Sequence, residues 1–87
     1  MAKSVFTSDY ESFLVLLVKA RKSACLTQMQ LAEKLKRPQS FVSKYERGER
    51  RLDVIEFIAV AHAIGINPAE IVKRLDGTSI KKGVRVL

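Results

Sequence analysis

The sequence predicts an all-α domain of five short helices. Three observations predict it. Cap-type residue pairs stand before successive apolar stretches, glycines follow those stretches, and apolar residues within them recur three and four apart. The first helix is expected over 9–23. Ser8 and Glu11 are three apart, as in a capping pair whose first side chain accepts a free backbone N–H while the second reaches back. Tyr10, Phe13, Leu14, Leu17 and Val18 then share one face. The second helix, 28–35, opens on Thr27 and Gln30 and presents Leu31, Ala32 and Leu35 inward. The third must fill the space between Pro38 and Gly48, about 39–47, with Val42 and Tyr45 on its inner face. The fourth, 54–64, opens on Asp53 and Glu56 and stops at Gly65. Its core face is expected to be Ile55, Ile58, Ala59, His62 and Ala63. The fifth, 68–75, opens on Asn67 and Glu70, carries Pro68 in its first turn and stops at Gly77. Ile71, Val72 and Leu75 form its apolar side.

Composition bounds what such a domain can do. A chain of 87 residues forms one domain. Residues 1–77 are expected to be that domain. Residues 78–87 carry Lys81, Lys82 and Arg85 and end Val84-Arg85-Val86-Leu87, which suits either a basic tail or a short strand that pairs on dimerisation. Sixteen Lys plus Arg against nine Asp plus Glu leave a formal charge of +7, which favours an anionic partner. A plain basic surface competes with that reading. The longest apolar run, residues 13–18, falls short of the roughly 20 residues that a bilayer requires, so no membrane partner is expected. No basic region followed by an apolar one marks a signal peptide, and the expected compartment is the cytoplasm. Cys25 has no second cysteine to pair with. One histidine and no cysteine pair make no legible metal site, and no cofactor is expected. His62 reads as a packed residue on the core side of the fourth helix. That placement denies a Ser–His–Asp arrangement its base, and no glycine-rich phosphate loop is present, so the chain reads as a non-enzyme.

The stretch Thr27–Gly48, TQMQLAEKLKRPQSFVSKYERG, carries the functional content. Two helices joined by three or four residues form a helix-turn-helix. Ala32 is small enough to let the second helix cross closely, with Leu31 and Val42 filling the crossing. In such a motif the second helix lies in the DNA major groove. Its outward residues Gln39, Ser40, Ser43 and Lys44 suit base edges and phosphates. The plain alternative is that Gln39 and Ser40 only satisfy the first helical turn. Ser43 suits a base, a phosphate or water. Phe41 is an odd choice for an outward face and is assigned to the DNA side, against a thymine methyl or the sugar backbone; the alternative is that it covers the neighbouring helix. Lys34 through Arg51 holds seven basic and two acidic residues.

LTQMQLAEKLKRPQSFVSKYERGERRLDVIEF resembles the lambda-repressor/Cro-like helix-turn-helix family, also called the Xre family. The features that coincide in order are Arg21, Leu26-Thr27-Gln28, Leu31-Ala32, Gln39-Ser40, Val42-Ser43-Lys44, Glu46, Gly48 and the apolar fourth helix, spanning roughly 18–72. The resemblance implies a five-helix DNA-binding domain, a transcription regulator that is usually dimeric on its operator. It implies base contacts from Gln39, Ser40, Ser43 and Lys44. Gln28, at the second helix's start, is placed on a phosphate, with Arg47, Arg50 and Arg51 on the backbone beyond the recognition helix. It implies an ion pair between Arg21 and Glu46 that braces the recognition helix. The partner expected is double-stranded DNA at a near-palindromic operator, bound by a homodimer; Ile66, Ile71, Leu75 and Val84 are the candidates for its surface, the alternative being that they simply close the core. Two other classes stay open: an antitoxin-like or adaptor protein-interaction module on the same fold, and an RNA-binding protein. The second is disfavoured because only six Phe and Tyr are present, mostly on apolar faces. Many relatives carry glycine where this chain has Cys25 and Lys36. A left-handed backbone at either position would cost about 1–2 kcal/mol. Cys25 is otherwise expected to be a small apolar filler.

Overall fold

The computed structural model describes residues 8–77. They form α1 (Ser8–Ser23), α2 (Gln28–Leu35), α3 (Gln39–Glu46), α4 (Val54–Ile64) and α5 (Pro68–Asp76), with no strand among the described residues. The segment 78–87, with the tail-or-strand alternative and Val84, lies outside them.

Local chemistry sets the boundaries. Thr27 Oγ1 accepts from Gln30 N at 3.0 Å while Gln30 Oε1 accepts from Thr27 N at 2.9 Å. Asp53 and Glu56 make the same reciprocal pair at 2.7 and 3.0 Å. Two expected caps differ. Ser8 is already inside α1 and does not precede it. Asn67 Oδ1 accepts from Ala69 N, and the N–H of Glu70 goes to the Asn67 carbonyl, so the Glu70 side chain completes no reciprocal pair there.

Four of the five helices end in one construction. An N–H two or three residues past the helix reaches back five residues: Leu26 to Arg21, Arg37 to Ala32, Glu49 to Lys44 and Ile66 to Ala61, at 2.8–3.2 Å. Each needs a left-handed residue just before it. Gly48 and Gly65 supply two, at φ 80° and 96°, and Cys25 and Lys36 supply the others, at 60° and 58°. The chain therefore accepts a backbone cost at both non-glycine positions, about 1–2 kcal/mol each. Cys25 is exposed at its turn and fills no gap. Gly77 ends α5 at φ −85°, without the left-handed conformation.

The core lies where the five helices converge. α2 and α3 pack on each other, α4 lies against α2, and α5 closes on both α1 and α4. Leu17, Leu31, Val42, Tyr45 and Val60 are fully enclosed. Burying each of the aliphatic ones contributes about 1.5–3 kcal/mol. Leu31, Ala32 and Val42 are all buried, so the α2–α3 crossing is close.

The fourth helix corrects the sequence expectation. Phe57, Val60, Ala61 and Ile64 are buried, whereas Ile55, Ala59 and His62 are exposed. VIEFIAVAHAI is apolar nearly all round, so its periodicity does not select a face. Phe57 decides the rotation by packing edge-on against Phe13 of α1, with ring centres 5.2 Å apart. His62 is consequently a surface residue. On α5, Ile71 is buried and Val72 faces outward. Ile71 is therefore a core residue and not a free dimer surface; Ile66 packs against the same core.

Candidate nucleic-acid interface

α3 stands on α2 and α1, and its outward side carries the polar row. Gln39, Ser40 and Lys44 are exposed, and Ser43 is half-buried. Pro38 precedes the helix without a side-chain cap, and neither Gln39 nor Ser40 caps the first turn. The plain alternative for those two residues thus has no bond to support it. The Gln39 amide turns instead to Gln28, donating from Nε2 to Gln28 Oε1 at 3.4 Å. The Ser43 hydroxyl donates back to the Ser40 carbonyl at 3.4 Å, a local engagement that competes with an outside partner.

The base of α3 is bound to α1 through charge. Arg21 lies on the buried face of α1, one turn beyond Leu17. Its Nε donates to Glu46 Oε2 at 2.7 Å, its Nη2 to Glu46 Oε1 at 3.2 Å and its Nη1 to the Leu26 carbonyl at 2.8 Å. The two side chains are only 10% and 6% exposed. Gln28 Nε2 donates to Glu46 Oε1 at 2.8 Å. The carboxylate thus joins α1, the start of α2 and the end of α3. Gln28 is held between Glu46 and Gln39, a partnership that spacing along the chain does not reveal.

Phe41 is the main correction at this site. It is buried, packed edge-on against Tyr45 with ring centres 5.7 Å apart. Two guanidinium groups lie over its ring, Arg37 at 4.5 Å and Arg50 at 4.9 Å. Phe41 belongs to the scaffold and not to a DNA-facing surface. The cause is position: in a short helix crossing α2, the residue beside Val42 comes under the α3–α4 loop as that loop folds back.

The basic residues after α3 divide by partner. Arg47 is exposed and pairs with Glu49 at 2.9 Å, a surface contact worth little in water. Arg50 makes a two-pronged bond to Glu56 at 3.0 and 2.8 Å and also donates to the Arg51 carbonyl. Glu56 accepts the Asp53 N–H as well; with Arg50 foremost, these donors hold its carboxyl down at about 2. The Arg51 guanidinium lies 4.1 Å over the Tyr10 ring, and the Tyr10 hydroxyl accepts from Leu52 N at 3.2 Å. The α3–α4 loop is therefore pinned to α1 and α4 by the same arginines that spacing assigns to phosphates. Arg37 is a cation that the sequence reading passed over. It sits in the turn just before Pro38, is 45% exposed, and comes only within 3.9 Å of Glu56. Its position immediately ahead of the recognition helix is the signal that could have identified it.

No three His, Cys, Asp or Glu side chains gather to hold a metal ion among the described residues. Nor is any single helix among them long and apolar enough to cross a membrane.

Comparison with known proteins agrees with this geometry. Residues 17–71 match the Helix-turn-helix family model. An XRE-family like protein from Pseudomonas syringae pv. tomato str. DC3000 is 47% identical, with a TM-score of 0.80 over 85% of this chain and 90% of that one. None of the curated proteins matches the chain.

Proposed function

The chain belongs to the XRE family of helix-turn-helix DNA-binding regulators, and we propose that it binds a specific double-stranded sequence as a small transcription regulator. The observation that carries this reading is the exposed polar row of α3, braced from behind by the Arg21–Glu46 pair. In this proposal α3 enters the major groove. Gln39 pairs with adenine, Lys44 donates to guanine, and Ser40 and Ser43 serve as smaller contacts. Arg47 and Arg37 reach phosphates from either end of α3. Arg50 and Arg51 contribute field and loop rigidity more than free donors, since both guanidiniums already have neighbours. Gln28 supports Gln39 and stands at the start of α2, where a phosphate is favoured. A homodimer would place two such helices about 34–36 Å apart on a near-palindromic operator. The protein then acts in the cytoplasm as a repressor or autoregulator without catalysis.

Selection of bound sequences from a random DNA pool tests the proposal directly. A recovered consensus is expected, with affinity falling steeply between about 50 and 200 mM salt. Lys44→Ala should relax preference at one position, and Arg50→Ala should weaken all sites alike. Recovery of no consensus, or tighter binding to RNA than to duplex DNA, would reject the reading.

One observation keeps the adaptor or antitoxin-like reading in view. The outward side of α4 is uncharged, with Val54 68% and Ile55 74% exposed. An apolar surface of this kind is what a protein partner would cover. Size-exclusion chromatography of the chain with a candidate toxin distinguishes the two.

A further inference from the structure

We propose that Glu46, the last residue of the recognition helix, sets which base Gln39 reads. The inference rests on the DNA-reading function proposed above and names a positioning residue for it. It follows from the direction of the hydrogen bonds that run from Glu46 to the surface.

A glutamine amide has two chemically opposite ends, and free rotation lets either end face a partner. An ionised carboxylate has only one kind of end, because it accepts and cannot donate. Both Glu46 oxygens accept from Arg21, so the carboxyl presents acceptors and no donor. Gln28 must therefore turn its Nε2 to Glu46, at 2.8 Å, and its Oε1 is left pointing away. That oxygen can only accept, so Gln39 must turn an N–H toward it. Gln39 then keeps its Oε1 and its second N–H, which lie side by side on the other edge of the amide. One acceptor beside one donor is the complement of adenine, whose N6 donates and N7 accepts. The opposite sense would turn the Gln39 oxygen inward toward residue 28 and leave its N–H groups foremost on the outward side. That pattern complements guanine, whose O6 and N7 both accept. The acceptor-only character of Glu46 thus passes through two amides and emerges as a preference for adenine over guanine.

The test reverses the sense of the relay without touching the ion pair. Gln28→Lys places a group that only donates between Glu46 and Gln39. The ammonium bonds Glu46 on one side and the Gln39 oxygen on the other, while Arg21 and Glu46 keep their own bonds. Gln28 is half-buried at the start of α2, so the thermal midpoint is expected to stay near that of the wild type. Sequences are selected from a random duplex pool with wild type, Gln28→Lys, Glu46→Gln and Gln39→Ala. Wild type is expected to show an adenine that Gln39→Ala loses. At that position Gln28→Lys should lower the adenine-to-guanine ratio about tenfold or more. Glu46→Gln, whose amide can donate to Gln28, should lower it in the same direction. An added lysine charge strengthens all sequences equally, so it does not move the ratio. An unchanged ratio in Gln28→Lys, or in a Glu46→Gln variant that keeps the wild-type circular dichroism spectrum, overturns the inference, as does the absence of any Gln39-dependent adenine in a wild type that does select a consensus. A wild type that selects no consensus overturns the proposed function itself, and with it the relay.

Discussion

Replacing Glu46 with alanine tests how the recognition helix is held. The substitution removes two of the three hydrogen bonds that Arg21 makes to other residues and leaves only the one to the Leu26 carbonyl. It also removes the inward partner of Gln28. Arg21 stays charged and only 10% exposed in its side chain, so water replaces little of what is lost. Breaking a buried pair from one side costs about 3–5 kcal/mol. Arg21 keeps its bond to the Leu26 carbonyl, so a loss of roughly 2–4 kcal/mol is expected. A chain of 87 residues is stable by about 4–13 kcal/mol in all, on a scale of about 0.05–0.15 kcal/mol per residue. The variant should therefore lose a large share of its stability, and its thermal midpoint should fall by roughly 10–25 °C. Far-UV circular dichroism during urea and thermal unfolding measures this. Arg21→Met combined with Glu46→Ala should be more stable than Glu46→Ala alone, because the unpaired charge is gone. An unchanged midpoint in Glu46→Ala, or a double variant as weak as the sum of the singles, would refute the account.

Phe41→Ala should cost about 3–5 kcal/mol and bring thermal unfolding close to ambient temperature, because the ring is enclosed under Arg37 and Arg50. A variant with a wild-type midpoint and only weakened DNA binding would return Phe41 to the DNA side. Lys36→Gly should raise stability by about 0.5–1 kcal/mol, since relief of the left-handed strain exceeds the extra chain entropy of glycine. Its check is a midpoint a few degrees higher in differential scanning calorimetry, and a lower one contradicts it. Glu56 has its folded carboxyl at about 2 against an ordinary 4.5. A lowered folded value means that its stabilisation is complete above about 4.5 and is lost as pH falls toward 2. The thermal midpoint of the wild type should fall across that window more steeply than that of Glu56→Gln, and parallel curves would remove Glu56 from the explanation.

Some elements were legible in the sequence because their causes are local. Thr27 with Gln30 and Asp53 with Glu56 satisfy backbone N–H groups within one turn, and the pairs can be read from spacing alone. Gly48 and Gly65 announce left-handed stops in the same way. Cys25 and Lys36 do not announce theirs, because the geometry there is imposed by the returning hydrogen bonds and not by residue preference. The core face of α4 is not legible in the sequence, for a different reason. When nearly every side chain is apolar, period no longer carries information about direction.

The sequence by itself determined where the helices lie, and it set the outward row of Gln39, Ser40, Ser43 and Lys44 on the second helix of the motif. Both depend on neighbours within about four residues, where chain order and spatial order agree. Tertiary structure alone decided that Phe41 turns inward, that Arg50 engages Glu56, and that Gln28 hangs between Glu46 and Gln39. Those partnerships link Phe41 to the α3–α4 loop, that loop to α4, and both ends of the helix-turn-helix to each other. Long polar and aromatic side chains take whichever partner the packed helices bring within reach, and charge or size in the sequence does not name it.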